Sequence, residues 1–388
     1  MQIMNKRKVI LICLSVFLAI VVVKMVWVRR AVRGQGSFES EKKEILQRRN
    51  WLVSKIVTEP EKLLNEMPGG IGPQFQGEWA LYSCSMLSAS LVNIALLYPE
   101  TASESLVLID SLISIASSPE IRQYDAIRWG EDPLESLDGD QSHVSYLSHL
   151  AWMISGYKQL GGGKKYDKLY HRLCETMNRR ILHSPILNLQ TYPREYVYVP
   201  DMLVAIVALA NYSRQYGGRY ASTVQKWTDN VRTKWTDPNT GLLMSLIPDG
   251  KVWIGTRPIK GSYTALSCYY LTFVDRDYAL NQYERLKKYF LKRSFVTGFK
   301  EYHDRSCLFA LDMDAGPVLF NLSPTGTAFS LGSVSYFGDF ELRRKILKTA
   351  ELAGWTVSSK GKTHYMLANL ALVGEAITLA MRTAVPWE

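Results

Sequence analysis

Residues 144–182 read VSYLSHLAWMISGYKQLGGGKKYDKLYHRLCETMNRRIL, and the fold class follows from the two halves of this stretch. The first half, up to Leu160, is mostly apolar and rich in small residues. In the second half, apolar residues recur every three or four positions among charged ones, which is typical of a helix with one face in water. The glycines between the halves suit a helix C-terminus, where a left-handed residue is needed. We therefore predict a buried helix followed by a half-exposed helix.

The same alternation recurs along the chain. Apolar, small-residue-rich segments begin near Trp79, Val144, Met202, Tyr263, Thr325 and His364, the first five about 60 residues apart. Amphipathic segments lie between them, such as residues 220–235, 278–293 and 341–355. Six such pairs predict an all-α protein in which an outer ring of helices wraps an inner ring, an (α/α)6 barrel. An α-solenoid would show a similar alternation, but the long loops are more typical of a functional site than of a plain stack.

Composition and charge narrow the class of partner. The chain has 388 residues, of which 47% are hydrophobic, enough for a large core. Its net charge of +10 is concentrated at the N-terminus, where residues 1–50 hold eleven Lys or Arg and three Asp or Glu. The rest of the chain is close to neutral. Because a nucleic-acid site needs its basic residues on the folded face that meets phosphate, we expect no nucleic-acid partner.

The N-terminus contains a predicted membrane anchor. Residues 9–28, VILICLSVFLAIVVVKMVWV, form an apolar run of bilayer length between two basic flanks. A cleavable signal is the alternative, but no small-x-small cleavage site follows the run. We expect residues 1–33 to be an uncleaved, single-pass anchor in the lipid bilayer. An export-type N-terminus favours a body outside the cytoplasm.

The remainder of the chain divides into two parts. Residues 34–50, GQGSFESEKKEILQRRN, are expected to be a charged linker or a juxtamembrane helix, and residues 51–388 the barrel domain. The five cysteines, Cys13, Cys84, Cys174, Cys268 and Cys307, show no metal-binding spacing. One or two disulfides and a set of buried thiols both remain open.

The densest cluster of candidate residues lies just before and within the second apolar segment. His143, Tyr146 and His149 are three residues apart, so we expect them on roughly one helix face. Asp138 and Asp140 precede that helix and are expected to cap its N-terminus. His149 is either a core histidine or an inward-facing acid or base. The spacing supplies no further metal ligand, and we expect no metal or cofactor.

A second cluster is TYPREYVYVPDM, residues 191–202. The alternation around Tyr196 predicts a strand-like segment leading to the third apolar helix. Asp201 is an N-cap candidate for a helix beginning at Met202. Glu195 has no such structural duty, which makes it a catalytic candidate.

A third cluster holds Asp312 and Asp314 in an apolar neighbourhood. Burial there would raise the pKa of a carboxyl and let it keep a proton near neutral pH. Capping a turn or pairing with an arginine is the structural alternative. Further candidates stand where the chain enters the other apolar helices: Glu78, Trp79, Tyr82, Trp129, Arg257, Tyr263 and His364. We predict that these sites meet at one end of the barrel, which we call the mouth.

The residues at this mouth favour acid–base chemistry. Trp and Tyr rings stack on sugars or shield cationic species, and His and carboxylates move protons. The chain has no nucleophile elbow, Walker loop or dinucleotide-binding glycine pattern. Glycoside cleavage needs one protonated and one ionised carboxyl, for which we assign Asp314 as acid and Glu195 or Glu78 as base. Asp201, His149, Tyr82 and Tyr263 complete the catalytic candidates, and the other mouth residues are expected to bind substrate.

From about Trp79 to Lys292 the chain resembles the linalool dehydratase/isomerase family. The similar segments are YSCSMLSASLVNIALLYPE, WGEDP with YLSHLAWMISGYKQLGGGKKYD, TDPNTGLLMSLIPDGK, and SYTALSCYYLTFVDRDYALNQYERLKKYF. The resemblance implies an (α/α)6 barrel, similar also to that of six-hairpin glycosidases, and cofactor-free interconversion of myrcene, linalool and geraniol. It places Tyr82, His149 and Tyr263 at active-site positions. Thr191 and Pro200 stand where the family has its two essential cysteines.

Three functions follow as expectations. The first is a membrane-anchored enzyme that performs acid–base chemistry on a glycan or glycoside, by hydrolysis. The second is a cofactor-independent hydro-lyase or isomerase of an alcohol, as the resemblance implies. The third is a non-catalytic glycan-binding barrel. An apolar pocket favours the second, and an open polar groove the first.

Overall fold

A computed structural model describes residues 38–68, 72–248, 259–304, 309–312 and 315–387, with residues 15, 19, 22 and 23. This part of the chain is mostly helical, which confirms the all-α prediction. Its α-helices are α1 Phe38–Ile56, α2 Pro73–Leu97, α3 Ala102–Ala116, α4 Pro119–Trp129, α5 Val144–Gln159, α6 Asp167–His183, α7 Val199–Gln215, α8 Ala221–Lys234, α9 Gly261–Leu271, α10 Arg276–Phe290, α11 Pro324–Tyr336, α12 Phe340–Gly354 and α13 Leu372–Arg382.

Short antiparallel strands connect some of these helices. In the described residues they form four two-stranded ribbons: β1 Val197–Tyr198 with β2 Leu246–Ile247, β3 Leu291–Arg293 with β4 Thr297–Phe299, β5 Phe309–Asp312 with β6 Gly316–Leu319, and β7 Thr356–Ser359 with β8 Lys362–Tyr365. Short 3-10 turns lie at Pro60–Glu66, Pro99–Thr101, Lys164–Tyr166 and Met366–Asn369.

Six of the described helices contact one another in a closed cycle. Helix α2 packs on α5, α5 on α7, α7 on α9, α9 on α11, α11 on α13, and α13 returns to α2. These inner helices correspond to the six predicted apolar segments. The last one begins at Leu372 rather than near His364, because residues 362–365 pair with β7 as a strand. The Glu375 carboxylate accepts a hydrogen bond from the Tyr365 amide and holds that strand beside the helix.

The remaining helices cover the inner ones. Helices α3 and α4 pack on α2, α6 on α5, α8 on α7, α10 on α9 and α12 on α11. Helix α1 packs on α13, so the first described helix covers the last. Residues 38–50 of the segment expected to be a charged linker or a juxtamembrane helix belong to α1. Arg48 and Arg49 in this segment are buried.

Most residues of the inner helices α2, α5, α7 and α9 are buried, because protein surrounds these helices. Among the described residues, one stretch, Phe75–Leu97 of α2, is long and apolar enough to span a membrane, yet 83% of its apolar window is buried inside the fold. That burial is the character of a core helix. The anchor predicted at residues 1–33 lies almost entirely outside the described residues.

Glycines end two inner helices where the sequence predicted them. Gly161 follows α5 with φ of +79°, and Gly217 and Gly218 follow α7 with φ of +75° and +84°. This left-handed backbone is readily adopted only by glycine. Cys84, Cys174 and Cys268 are free, buried thiols. Cys13 and Cys307 lie outside the described residues.

Aromatic side chains fill the centre toward the C-terminal ends of the inner helices. The Trp152 ring of α5 contacts Tyr270 of α9, although these helices are not neighbours in the cycle. Trp387, near the end of the chain, stacks on Trp152 with ring centroids 6.0 Å apart. Its indole N–H donates to Asn93 Oδ1 over 2.8 Å. The C-terminal segment therefore closes this end of the ring.

Candidate functional site

The Asp201 carboxyl, in the first turn of α7, faces α2 inside the cycle of inner helices. Its Oδ1 accepts a hydrogen bond from the Tyr82 hydroxyl at 2.5 Å, and its Oδ2 accepts one from the Thr191 hydroxyl at 2.6 Å. The predicted capping role is wrong, because α7 begins at Val199 and Asp201 is already in its first turn. A residue inside the first turn is free to point its side chain inward.

Local structure explains how the chain delivers Asp201 to this place. The predicted strand-like segment forms β1, whose Val197 pairs with Ile247 of β2. Pro200 follows in the first turn of α7, where its missing N–H costs no helical hydrogen bond. The segment before β1 returns close enough for Thr191 to reach Asp201.

The Asp201 carboxyl is disposed to hold a proton. Burial raises its pKa to about 6, and the nearby negative charge of Glu78 acts in the same direction. Hydrogen bonds from Thr191 and Tyr82 oppose this change. Burial and the charge of Asp201 raise the pKa of the Tyr82 phenol well above its usual value, so Tyr82 remains a proton donor.

His149 stands beside this group. Its ring centroid lies 4.2 Å from that of Tyr82, and its Nδ1 is 2.8 Å from the Ser85 hydroxyl. Because that hydroxyl also donates to the Tyr82 carbonyl oxygen, we assign the proton to Nδ1 and the lone pair to Nε2. Burial lowers the pKa of His149 to about 3, so the imidazole is neutral.

Three buried polar atoms near His149 have no hydrogen-bond partner among the described residues. They are His149 Nε2, Trp152 Nε1 and the Tyr270 hydroxyl. The rings touch in series, with centroids 6.2 Å apart for His149 and Trp152, and 5.4 Å for Trp152 and Tyr270. Buried polar groups normally have partners, and leaving one unpaired is costly. These three atoms therefore keep unused hydrogen-bonding capacity inside the fold.

Glu78, near the N-terminal end of α2, forms an ion pair with Arg128. Arg128 donates to both of its oxygens, at 3.2 and 2.9 Å. Ser145 at the start of α5 and the Tyr192 hydroxyl also donate to Glu78, at 3.1 and 3.3 Å. Arg128 was not predicted from the sequence. With its oxygens engaged in this way, Glu78 orients the neighbouring loops and places a negative charge near Asp201.

A line of aromatic rings crosses from this ion pair to helix α9. The Arg128 guanidinium lies 4.0 Å from the centre of the Tyr192 ring. Ring centroids are then 5.4 Å apart for Tyr192 and Tyr198, and 6.0 Å for Tyr198 and Tyr263. The Lys260 ammonium lies 5.1 Å from the Tyr263 ring centre. The N-terminal ends of α2, α5, α7 and α9 therefore lie close together.

Two more carboxyls lie at the start of α9. Asp312 accepts from the Lys260 ammonium at 2.7 Å and from the Tyr302 hydroxyl at 3.1 Å, which corresponds to the predicted structural alternative of an ion pair, with a lysine in place of an arginine. Glu301 accepts from the Ser262 amide and hydroxyl, and burial raises its pKa to about 7. Glu301 satisfies an amide at a helix N-terminus, which is a structural role.

The structure separates the members of the densest predicted cluster. His143, itself the N-cap residue of α5, is buried with Nδ1 bonded to Asp125, whereas the Tyr146 hydroxyl donates to the Ala116 carbonyl. His149 points instead to Ser85. Side chains three and six positions apart on a helix point in directions that differ by more than the predicted shared face assumed.

The two aspartates predicted to cap α5 lie elsewhere. Asp138 and Asp140 are 94% and 92% exposed and bind Arg172 and Arg179 on helix α6. The helix α5 begins at Val144 after His143, whose left-handed backbone turns the chain. The capping prediction was therefore wrong for both residues.

Other predicted site residues lie apart from Asp201. Glu195 is exposed, with the Tyr198 hydroxyl 3.3 Å from its carboxylate. His364 stacks on Trp51 of α1 at a centroid distance of 4.3 Å. Trp129 contacts the His143 ring, Trp79 packs against the core, and Tyr196 is half-buried before β1. Asp314 and Arg257 lie outside the described residues.

Comparison with known proteins supplies no family assignment. Neither a scan against protein-family models nor a search of curated proteins found a match to this chain. The chemistry of the site is therefore argued from its own groups. These are a buried carboxyl with a raised pKa, two hydroxyl donors on it, a neutral imidazole and a group of aromatic rings.

Proposed function

We propose that the six helix pairs form an (α/α)6 barrel anchored in a membrane by residues 1–33, with its body outside the cytoplasm. The closed cycle of inner helices, each covered by an outer one, supports the barrel. The apolar run with basic flanks supports the anchor. The mouth of this barrel is the end at which Asp201, Glu78 and Lys260 lie.

We propose that the protein is an acid–base enzyme, a hydro-lyase or isomerase of an alcohol, that uses its own side chains as acid and base. The observation that carries this proposal is the buried Asp201 carboxyl, which accepts a hydrogen bond from the Tyr82 hydroxyl and whose pKa burial raises to about 6. Such a group can protonate a leaving hydroxyl at a pH where exposed carboxyls are ionised. The neutral imidazole of His149 supplies a base beside it.

These groups can carry out the elimination of water from an alcohol with every proton accounted for. A proton passes from the Tyr82 hydroxyl to the substrate hydroxyl, and the C–O bond breaks to release water. The protonated Asp201 carboxyl gives its proton to Tyr82 in turn. The Nε2 of His149 then takes a proton from the adjacent carbon, and the electrons of that C–H bond form the alkene. Return of this proton to Asp201 completes the cycle, and the reverse sequence hydrates an alkene or moves the hydroxyl.

The surroundings suit a cationic intermediate. The rings of Tyr82 and Trp152 contact His149, and the Tyr270 ring contacts Trp152. Aromatic faces stabilise positive charge in a dry site. A proton beside a carbocation is strongly acidic, so an imidazole with a low pKa is a sufficient base. The resemblance to linalool dehydratase/isomerases points to the same class of reaction, with Thr191 bonded to Asp201 where that family has a cysteine.

Glycoside hydrolysis is the second candidate function. The series Tyr192, Tyr198 and Tyr263 offers aromatic faces on which a sugar can stack, and the exposed Glu195 lies beside it. Hydrolysis requires a second, available carboxyl opposite the acid. Glu78 is engaged by Arg128, and for this reason we place elimination first.

The test uses the purified full-length protein with geraniol, linalool and myrcene, and separately with glycans. We expect alkene or isomerised alcohol by gas chromatography and no release of reducing sugar. Asp201→Asn should lower kcat by roughly 10²- to 10⁴-fold, the usual contribution of a general acid. Release of reducing sugar that depends on Glu195 would favour the second candidate.

A matched control is Glu301→Gln, another buried carboxyl with a raised pKa. It should keep its kcat, because Glu301 bonds to the start of α9 and not to Tyr82 or His149. Equal losses of kcat in the Asp201→Asn and Glu301→Gln variants, or full activity of Asp201→Asn, would refute the assignment of Asp201 as the acid.

A further inference from the structure

The ribbon formed by β5 and β6 has an apolar outer face. Phe309 pairs with Leu319 and Leu311 with Pro317 across this ribbon, and all four are exposed. Leu311 is 75% exposed. The opposite face carries the buried Val318 and the ion-paired Asp312. A ribbon in water normally shows the reverse arrangement, with polar residues outside.

The turn after β6 displays a further aromatic ring. Phe320 and Asn321 have φ of +50° and +60°, and Leu319 and Leu322 exchange both backbone hydrogen bonds around them. This tight turn favours Asn and Gly, and a bulky residue in its first position is strained. The Phe320 side chain is nevertheless 73% exposed. Strain at an exposed aromatic points to a role outside the fold.

Basic groups adjoin this apolar face. The Lys292 ammonium donates to the Phe320 carbonyl oxygen at 2.6 Å. Burial lowers the pKa of Lys300, Asp304 opposes this change, and the positive charge of Lys292 adds to it. A surface hollow next to β3 is lined by Lys287, Lys288, Leu291, Arg293 and one acidic residue, Glu284.

We propose that the β5–β6 ribbon and this basic hollow form a docking surface for the lipid bilayer. Leu311, Leu319 and Phe320 would lie among the acyl chains near the headgroups, as apolar and aromatic residues do at membrane interfaces. The neighbouring Lys288, Lys292 and Arg293 complement anionic headgroups. This inference is independent of the reaction proposed above.

The predicted anchor permits this docking. Helix α1 begins at Phe38, and residues 29–37 separate it from the apolar run. Nine extended residues reach about 30 Å, comparable to the length of α1 at about 1.5 Å per residue. Phe38 contacts Tyr98 at the C-terminal end of α2, so residues 29–37 would have to run along the whole length of α1 for the ribbon to meet the bilayer that holds the anchor. Asp312 joins the ribbon to Lys260 at the mouth, so docking would place the site near the membrane surface.

Photo-crosslinking of the full chain in bilayers tests the proposal. Benzoylphenylalanine is placed at position 311, at position 320, or at the control position 107. Val107 on α3 is 66% exposed, similar to Phe320, and lies outside the proposed surface. The anchor holds every variant at the membrane, so differences between positions report on the ribbon.

We expect lipid adducts at positions 311 and 320 in several-fold excess over position 107, with a further excess in bilayers that contain anionic lipid. Lipid adducts no more frequent than at position 107 would overturn the proposal. So would adducts formed mainly with another copy of the chain or with a different protein, because the surface would then be a protein interface.

Discussion

At the scale of the residue, burial distinguishes Asp201 from Glu195, a carboxyl of the segment before α7. Asp201 and Glu195 are six positions apart, yet one is 7% exposed between two hydroxyl donors and the other projects into solvent. A carboxyl in water is ionised near neutral pH, whereas burial penalises the charged form. The same residue type therefore has different chemistry at the two positions.

The raised pKa of Asp201 predicts a pH-dependent stability. Between the ordinary value of 3.8 and the folded value of about 6, the folded protein holds a proton that the unfolded chain has lost. The free energy of unfolding that this group contributes therefore falls as the pH rises through that window. Asp201→Asn removes this pH-dependent contribution. The free energy of unfolding of the variant, relative to that of the wild type, should therefore rise by about 3 kcal/mol from pH about 4 to pH about 7.

Chemical denaturation of both proteins at the two pH values measures this difference, and other titrating groups cancel in the comparison. A relative stability that stays constant with pH would contradict the buried, proton-holding carboxyl.

At the scale of the element, close packing fixes the start of α9. The Gly261 amide donates to the Glu301 carbonyl oxygen at 2.9 Å, and the Glu301 side chain bonds to Ser262. A Cβ atom on Gly261 would lie 1.9 Å from the Lys300 carbonyl oxygen. Only glycine permits this approach of two backbone segments.

Gly261→Ala should destabilise the protein by about 1–3 kcal/mol, because the backbone must move to relieve the overlap. Gly374→Ala in α13 is the matched control, since its Cβ would meet nothing within 4 Å. Alanine favours a helix interior, so the control should be as stable as wild type or slightly more stable. Denaturant midpoints measure both, and equal midpoints for the two variants would contradict the clash.

At the scale of the whole molecule, buried ion pairs join the first described helix to the last. Arg48 of α1 donates to Glu375 of α13 at 2.6 Å, and Arg382 of α13 donates to Glu44 of α1 at 2.8 Å. Arg48 is 1% and Glu375 2% exposed. These contacts span more than 300 positions of the chain and complete the layer of outer helices.

Arg48→Met should lower the free energy of unfolding by about 3–5 kcal/mol, because it leaves Glu375 buried without its partner. Arg172→Met removes an exposed pair with Asp138 and should have no measurable effect. Thermal and denaturant unfolding of the full chain test both variants. Similar stability of the two would mean that α1 does not close the fold.

The sequence determined the helical alternation and the region of the site. Apolar segments flanked by amphipathic ones predicted buried and half-exposed helices because burial on all sides or on one side leaves different periodicities. Glu78, Tyr82, Asp201 and Tyr263 were all found from their positions before or early in apolar helices. Predictions failed where a strand replaced a helix at His364 and where caps were assigned to Asp138 and Asp140, since local propensity does not contain those tertiary contacts.

Only the tertiary structure decided which of these groups act together. Tyr82 and Asp201 are 119 positions apart and meet because α2 and α7 face the same interior. Arg128, which engages Glu78, has no sequence pattern that marks it, since it lies at the end of an ordinary amphipathic helix. A pKa depends on burial and on neighbouring charges in space, so the raised pKa of Asp201 follows from the assembled helices and not from its place in the sequence.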